Sequence, residues 1–196
     1  AVQQAAPGLI GWFFDYARMA VQVFLVIGGF LAARGLAAQG GGLATAPFGL
    51  IWKRYTRLVI PFMAAMALAV VCAAIAGQWM EDESIPARAT LAQWFAHVFL
   101  LHGVLDFDAL SAGAWYVAID FQLFAMMVLL LWVARAAPLR HRSAAAIVLV
   151  GGAAAMSLFM INRDPSFDII APYFFGVYAL GAAAFWASTP GRSPLW

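Results

Sequence analysis

Charged residues are scarce in this chain: Asp, Glu, Lys and Arg make up 10% of its 196 residues, against 65% hydrophobic. Soluble domains place charge on about a quarter of their residues. This composition, with a mean hydropathy of +0.88, therefore excludes a soluble fold and implies an integral membrane protein. Cysteine is limited to Cys72, which excludes an intrachain disulfide and a cysteine-based metal site; within its apolar run it reads as a small packing residue. Only three histidines are present. His97 and His102 stand about 140° apart on a helix, poorly placed for a shared metal, and read as tucked or interfacial side chains, so no metal is expected. The net charge of +2 carries no information about polyanions, because membrane proteins place Lys and Arg for topological reasons, and no nucleic-acid partner is expected. The chain opens AVQQAAPG, with no basic segment leading into a short apolar core and hence no signal peptide, and it stops at TPGRSPLW just after an apolar run. Both ends read as cut edges. With no internal repeat, low-complexity linker or soluble domain, residues 1–196 are expected to form a single, partial transmembrane domain.

Apolar runs near the ~20 residues that a spanning helix needs fall at Met19–Ala38, Leu58–Gly77, Ala114–Ala134, Ala144–Ile161 and Ile169–Ala187. A sixth run, Leu91–Leu105, is shorter and holds Gln93, His97 and His102. Charge decides its role. Arg34, Lys53, Arg54 and Arg57 flank one connection, Arg135, Arg140 and Arg142 another, and Arg192 follows the last run. Asp15, Glu81, Asp82, Glu83, Asp106, Asp108, Asp164 and Asp168 lie in the remaining connections and ahead of the first span. Basic connections stay on the cytoplasmic side, and a spanning Leu91–Leu105 would put the two basic connections on opposite sides. The expected fold is therefore all-α, a polytopic bundle of about five spans plus one interfacial or re-entrant helix at the outer face, in contact with membrane lipid. Gly29 with Ala33, Gly151 and Gly152 with Ala155, and Gly176 with Gly181 are expected to let helices approach closely in lipid. Pro47, Pro61 and Pro172 mark helix starts or kinks.

Of nine acidic residues, only Asp120 falls inside a long apolar stretch. An ionisable group there costs a few kcal/mol unless it pairs or lines a polar cavity, which makes Asp120 a functional candidate. It lies about 9 Å below the start of its helix. Tyr116 and Phe124 share its face, whereas Gln122 points about 200° away, so Asp120 and Gln122 cannot both face one narrow pocket. A structural alternative is a carboxylate paired with an arginine such as Arg18 or held by a helix hydroxyl. Lys53, Arg54 and Arg57 offer cationic donors suited to phosphate oxygens, with positions 53 and 57 on one helical face; they also fix topology. Trp94, Trp115, Tyr116 and Trp132 suit the aromatic belts of a membrane protein, and Asp106 and Asp108 suit a solvated outer loop.

Four segments carry a family resemblance. Trp115–Phe124 (WYVAIDFQLF) resembles the W-x-L-x-x-E-x-Q-x-Y signature of membrane acyltransferase family 3, and Val23–Leu31 (VFLVIGGFL) resembles its "FFvlSGFL" helix. Lys53–Phe62 (KRYTRLVIPF) is similar to its R-x-x-R-L-x-x-P-F segment, and Phe174–Ala182 (FFGVYALGA) to a later "fflGxll" helix. The departures are Gly28-Gly29-Phe30 for Ser-Gly-Phe, Asp120 for the usual Glu, and Phe124 for Tyr. The family's histidine, on a first helix in an arginine-to-histidine motif, matches none of His97, His102 and His141, and is expected upstream of Ala1, leaving this fragment inactive alone.

The resemblance implies an enzyme of the bacterial type of inner membrane, moving an acyl group, most often acetyl, from a cytoplasmic CoA thioester to a hydroxyl of a carbohydrate or other envelope component. It implies Asp120, Trp115 and Gln122 as catalytic and Lys53, Arg54 and Arg57 as donor-binding. Two other classes remain open on the residues alone. A proton-coupled transporter or exporter would use Asp120 as a proton or substrate site, but the half-helices or inverted repeats it favours are not found. A membrane scaffold would use its buried polar groups only to fix packing.

Overall fold

The computed structural model describes residues 7–38, 46–79 and 89–188. Among them are six α-helices: α1 (Pro7–Ala38), α2 (Pro47–Ala76), α3 (Leu91–Val98), α4 (Ala114–Ala134), α5 (Arg142–Phe159) and α6 (Ala171–Ser188). Short 3-10 turns at Leu139–His141, Ile161–Arg163 and Pro165–Phe167 join the last three helices, and no strand occurs among the described residues. The chain is an all-α helical membrane bundle.

Among the described residues, four stretches are long and apolar enough to cross a bilayer: Met19–Leu36 within α1, all of α2, all of α4, and Leu139–Arg163 around α5. The fifth expected span is a helix in its expected place but is not among these four. α6 is 18 residues long, and its apolar content is diluted by Pro172, two tyrosines and two glycines. It is well enclosed by protein: Phe174, Phe175, Tyr178, Ala179 and Ala182 are all buried against α1, α4 and α5. A helix that faces protein needs less hydrophobicity than one that faces lipid. α2 is the converse case. Trp52, Ile60, Leu68, Val71 and Ile75 are exposed along it, as side chains turned to lipid would be.

Leu91–Leu105 is not a span. α3 ends at Val98 because Leu100 turns the chain with φ 57°, and a helix of 8 residues reaches only ~12 Å. Its start is fixed by a capping box: the Gln93 amide donates to the Thr90 hydroxyl (3.2 Å) and the Thr90 amide to Gln93 Oε1 (3.4 Å). Tyr55 Oη donates to the Val98 carbonyl (2.9 Å), tying the end of α3 to α2.

α2 begins well before the expected Leu58, at Pro47 in its first turn, where the ring's fixed φ suits a helix start and no amide is wasted. Lys53, Arg54 and Arg57 are therefore helical residues, as their shared face implies, and continuous with the span. α2 and α4 run antiparallel: Arg54 lies over Phe124, whereas Phe62 and Met66, further along α2, cluster with Ala114 and Ala118 at the start of α4. Arg34, Lys53, Arg57, Arg135, Arg140 and Arg142 gather at the end of the bundle where α1 finishes and α2 starts, and Asp106, Asp108, Asp164 and Asp168 at the other. Glu81, Asp82, Glu83 and Arg192 lie outside the described residues, as do the side chains of Asp15 and Arg18.

Close helix approach depends on three of the glycines singled out by pattern. A Cβ on Gly29 would strike the Tyr178 carbonyl oxygen, one on Gly181 the Val26 carbonyl oxygen, and one on Gly176 the Leu158 side chain. These contacts bring α1 onto α6 and α5 onto α6. Across the second interface, Ser157 Oγ donates to the Tyr173 carbonyl (3.0 Å) and accepts from the Gly176 amide (2.9 Å). Gly151 and Gly152 do not pack: both are exposed, with nothing within 4 Å of where a Cβ would stand. Small size permits contact only on a face that meets another helix.

Candidate functional site

α4 separates two cavities. Positions 115, 118, 119 and 122 follow the i, i+3, i+4, i+7 spacing that lines up one helical face, and all four border a cavity of about 440 Å³ at the α3 end of the bundle. Val117 and Phe124 point the other way and border a cavity of about 770 Å³ between α1, α2 and α4. The Trp-to-Gln signature is thereby divided, Trp115 and Gln122 belonging to the smaller cavity and Asp120 reaching the wall of the larger one through Arg54.

In the larger cavity, Lys53, Arg54 and Arg57 stand among apolar walls that include Leu31, Leu50 and Phe62. Arg54 turns inward and places Nη2 2.6 Å from Asp120 Oδ2, the two side chains being 28% and 13% exposed. Its guanidinium also lies 4.3 Å from the ring centre of Phe124. Residues 120 and 124 are one turn apart, so a single face of α4 offers a carboxylate and a π-face to the same cation. Arg54 Nε remains buried without a partner. Lys53 and Arg57 stay exposed. The arginine paired with Asp120 is thus Arg54, on α2.

Gly28 completes this arrangement from α1. A Cβ there would lie 3.0 Å from Asp120 Oδ1 and 3.3 Å from Tyr178 Cε2, so only glycine leaves room for the carboxylate to sit between α1 and α4 without displacement. Tyr178, on α6, is fully buried with its hydroxyl unpartnered. Gly28 was visible in sequence only as a departure from Ser-Gly-Phe. Tyr178 carried no signal, since an aromatic residue in an apolar run reads as core.

The smaller cavity is bordered by Val21 and Gln22 of α1, by His102 and Gly103 of the loop after α3, by Trp115 and Gln122 of α4, and by Asp168, Tyr173 and Phe174 near the start of α6. Gln122 Nε2 donates to the Leu100 carbonyl (2.8 Å), pinning the loop at its positive-φ turn. His97 uses both ring nitrogens: Nδ1 donates to the Gln93 carbonyl (2.8 Å) and Nε2 accepts from the Leu110 amide (3.1 Å). That pattern requires the neutral ring. His102 stacks on it with ring centres 4.0 Å apart and 6° between planes. Neither nitrogen of His102 has a partner, although the residue is 1% exposed. Burial lowers the pKa of His97 against the opposing pull of its hydrogen bond to Gln93. Burial, and then the neighbouring His97, lowers that of His102 to about 4. Both rings are neutral at physiological pH.

The acyltransferase 3 family, described as an acyltransferase domain, matches residues 4–193. No curated protein and no solved structure matches the chain. The match spans nearly the whole sequence and takes in each segment whose helices build the Arg54–Asp120 pair, so the chain belongs to the acyltransferase 3 family of membrane acyltransferases.

Proposed function

We propose that the protein is a membrane-bound O-acyltransferase of the inner membrane, taking an acyl group, acetyl most often, from a CoA thioester at the basic end of the bundle and passing it to a hydroxyl of a carbohydrate or other envelope component. The observation that carries this reading is the cavity of about 770 Å³ in which three cations stand among apolar walls, one of them held by Asp120. Lys53 and Arg57, exposed, suit the phosphates of the donor, and the apolar wall suits its pantetheine arm and acyl group. Arg54 keeps N–H donors beyond the one given to Asp120, and these suit the thioester oxygen as negative charge develops on it. The acceptor oxygen attacks the carbonyl carbon, the C–S bond breaks, and the acceptor's proton ends on the departing thiolate, giving ester and free CoA. By the family resemblance a histidine carries that proton, and Asp120 orients it and supports its charge.

The donor half of this reading is tested in the full-length protein by comparing acetyl-CoA with S-acetylpantetheine, which has the same thioester but no phosphates. Lys53→Ala and Arg57→Ala are expected to weaken use of acetyl-CoA and leave S-acetylpantetheine unchanged. Equal effects on both donors, or none, would reduce these residues to topology determinants.

A further inference from the structure

Nothing in the donor chemistry accounts for the smaller cavity. Its polar wall contains neither lysine nor arginine among the described residues that border it, so it is not built for phosphate. Two of the residues that border it carry groups that the fold leaves unsatisfied: among the described residues, Gln22 Oε1 and the His102 ring nitrogens are buried without hydrogen-bond partners. Buried polar atoms are paired in the great majority of cases, and each exception calls for an explanation. A neutral imidazole presents one donor and one acceptor, and the amide oxygen presents an acceptor. Hydroxyl groups, which both donate and accept, satisfy all three. Around these atoms stand the rings of Trp115, Tyr173 and Phe174, apolar faces of the kind on which the C–H face of a pyranose packs. Trp115 and Phe174 are already adjacent, their rings 6.1 Å apart. The His102 ring cannot turn freely, because His97 stacks on it and is itself fixed at both nitrogens.

We propose that the cavity bounded by Gln22, His102, Trp115, Gln122 and Tyr173 binds a neutral polyol, with sugar hydroxyls hydrogen-bonded to Gln22 Oε1 and to the imidazole of His102. The inference rests on the preceding reading only in taking this polyol to be the acyl acceptor; the binding site itself stands on the unsatisfied groups and the cavity. It gives the Trp-to-Gln face of α4 an acceptor-binding role separate from the Asp120 face.

The test uses the full-length protein in lipid nanodiscs with isotopically labelled histidine. Within this chain the histidine signals are those of His97, His102 and His141, assignable by single substitutions. Glycerol, the methyl glycosides of glucose and galactose, N-acetylglucosamine and glucose 6-phosphate are titrated without any acyl donor. A saturable shift of the His102 ring nitrogens with at least one neutral sugar, absent at His141, is expected. Gln22→Leu should weaken that binding roughly three- to tenfold, the loss of one hydrogen bond, and glucose 6-phosphate should bind no more tightly than its neutral counterpart. Should Gln22→Leu fail to insert, Trp115→Leu read at His102 serves in its place, with the same weakening expected. An unmoved His102 with every neutral probe, an undiminished shift in both variants, or preference for the phosphorylated sugar would overturn the proposal. Because no donor is present, the shift reports binding alone; a sugar that shifts His102 but is not acylated once acetyl-CoA is added would count against the enzymatic reading and leave this site standing. Acyl transfer to a carbohydrate with His102 silent would do the reverse.

Discussion

On one side of α4 a carboxylate and a phenyl ring hold an arginine beside two further cations; on the other, amides, the His102 imidazole, aromatic rings and the Asp168 carboxylate border a cavity with no cation among the described residues of its wall. The same helix supplies both walls. What separates them is the 3.6-residue period, which turns Asp120 and Gln122 to different faces although they are two positions apart. A signature that reads as one active-site motif therefore encodes two environments, one suited to an anion and the other to hydroxyls. The difference in electrostatic cost is equally clear. Removing one partner from the first wall leaves a half-buried charge alone, whereas removing one hydrogen bond from the second leaves a neutral group unsatisfied.

The comparison breaks most visibly at the ion pair. Asp120→Ala is expected to destabilise the bundle by about 2 kcal/mol, because the half-buried Arg54 would lose its charge-assisted hydrogen bond. Resistance to chemical denaturation in lipid would measure this, and the His102 signals should stay in place if the two walls are independent. Next in size is the proposed donor cluster. Lys53→Ala or Arg57→Ala should each cost about 1.5 kcal/mol or more in acetyl-CoA binding, read as a rise in the donor concentration needed for half-maximal rate, without loss of protein from the membrane.

On the neutral side, Gln122→Leu should cost about 1 kcal/mol by releasing the Leu100 carbonyl. The expected readout is faster hydrogen exchange in residues 99–113 with donor binding unchanged. Acid should loosen the same loop. Burial holds His102 well below the ordinary histidine value of 6.5, at about 4, so between these values the unfolded loop takes up protons that the folded loop excludes. The stabilisation is complete above pH 6.5 and is lost progressively as pH falls toward 4. Exchange rates in this loop should follow that window, and the Arg54–Asp120 wall should not. The smallest effect is expected at Gly151→Ala, which meets open space and should stabilise α5 by at most ~1 kcal/mol, whereas Gly181→Ala would push α1 off α6.

How far this arrangement could be read in sequence depends on the range of the interaction. The helices followed from composition and period, and Asp120 stood out because a charge in an apolar run needs a local reason. Its partner did not, since Arg54 is 66 positions away and only folding brings α2 against α4. The apolar run of α2 reads as starting at Leu58 because basic residues interrupt the hydropathy, whereas Pro47, legible as a helix start or kink, marks where the helix begins. Leu91–Leu105 was rightly kept from spanning by charge parity, but the reason it stops at Val98, a positive φ at Leu100, left no trace in composition. Gly151 and Gly152 misled because spacing identifies a face without identifying what lies opposite. The unsatisfied nitrogens of His102 were invisible for the same reason: in sequence a buried histidine looks alike whether or not its partners are supplied.

The central claim is that the charge of Asp120 serves acyl transfer and not only packing, and the most direct measurement is acyl transfer by full-length Asp120→Asn and Asp120→Glu, normalised to protein in the membrane. An amide keeps the shape and a hydrogen bond but loses the anion, so Asp120→Asn should lose transfer at least roughly a hundredfold at normal abundance, on the scale of removing one pre-organised electrostatic group. Asp120→Glu should keep most of it, the family's usual residue at this position being glutamate. An Asp120→Asn protein that transfers acyl groups normally, with Asp120→Glu the more damaged of the two, would contradict the account and make the pair with Arg54 a device of packing alone.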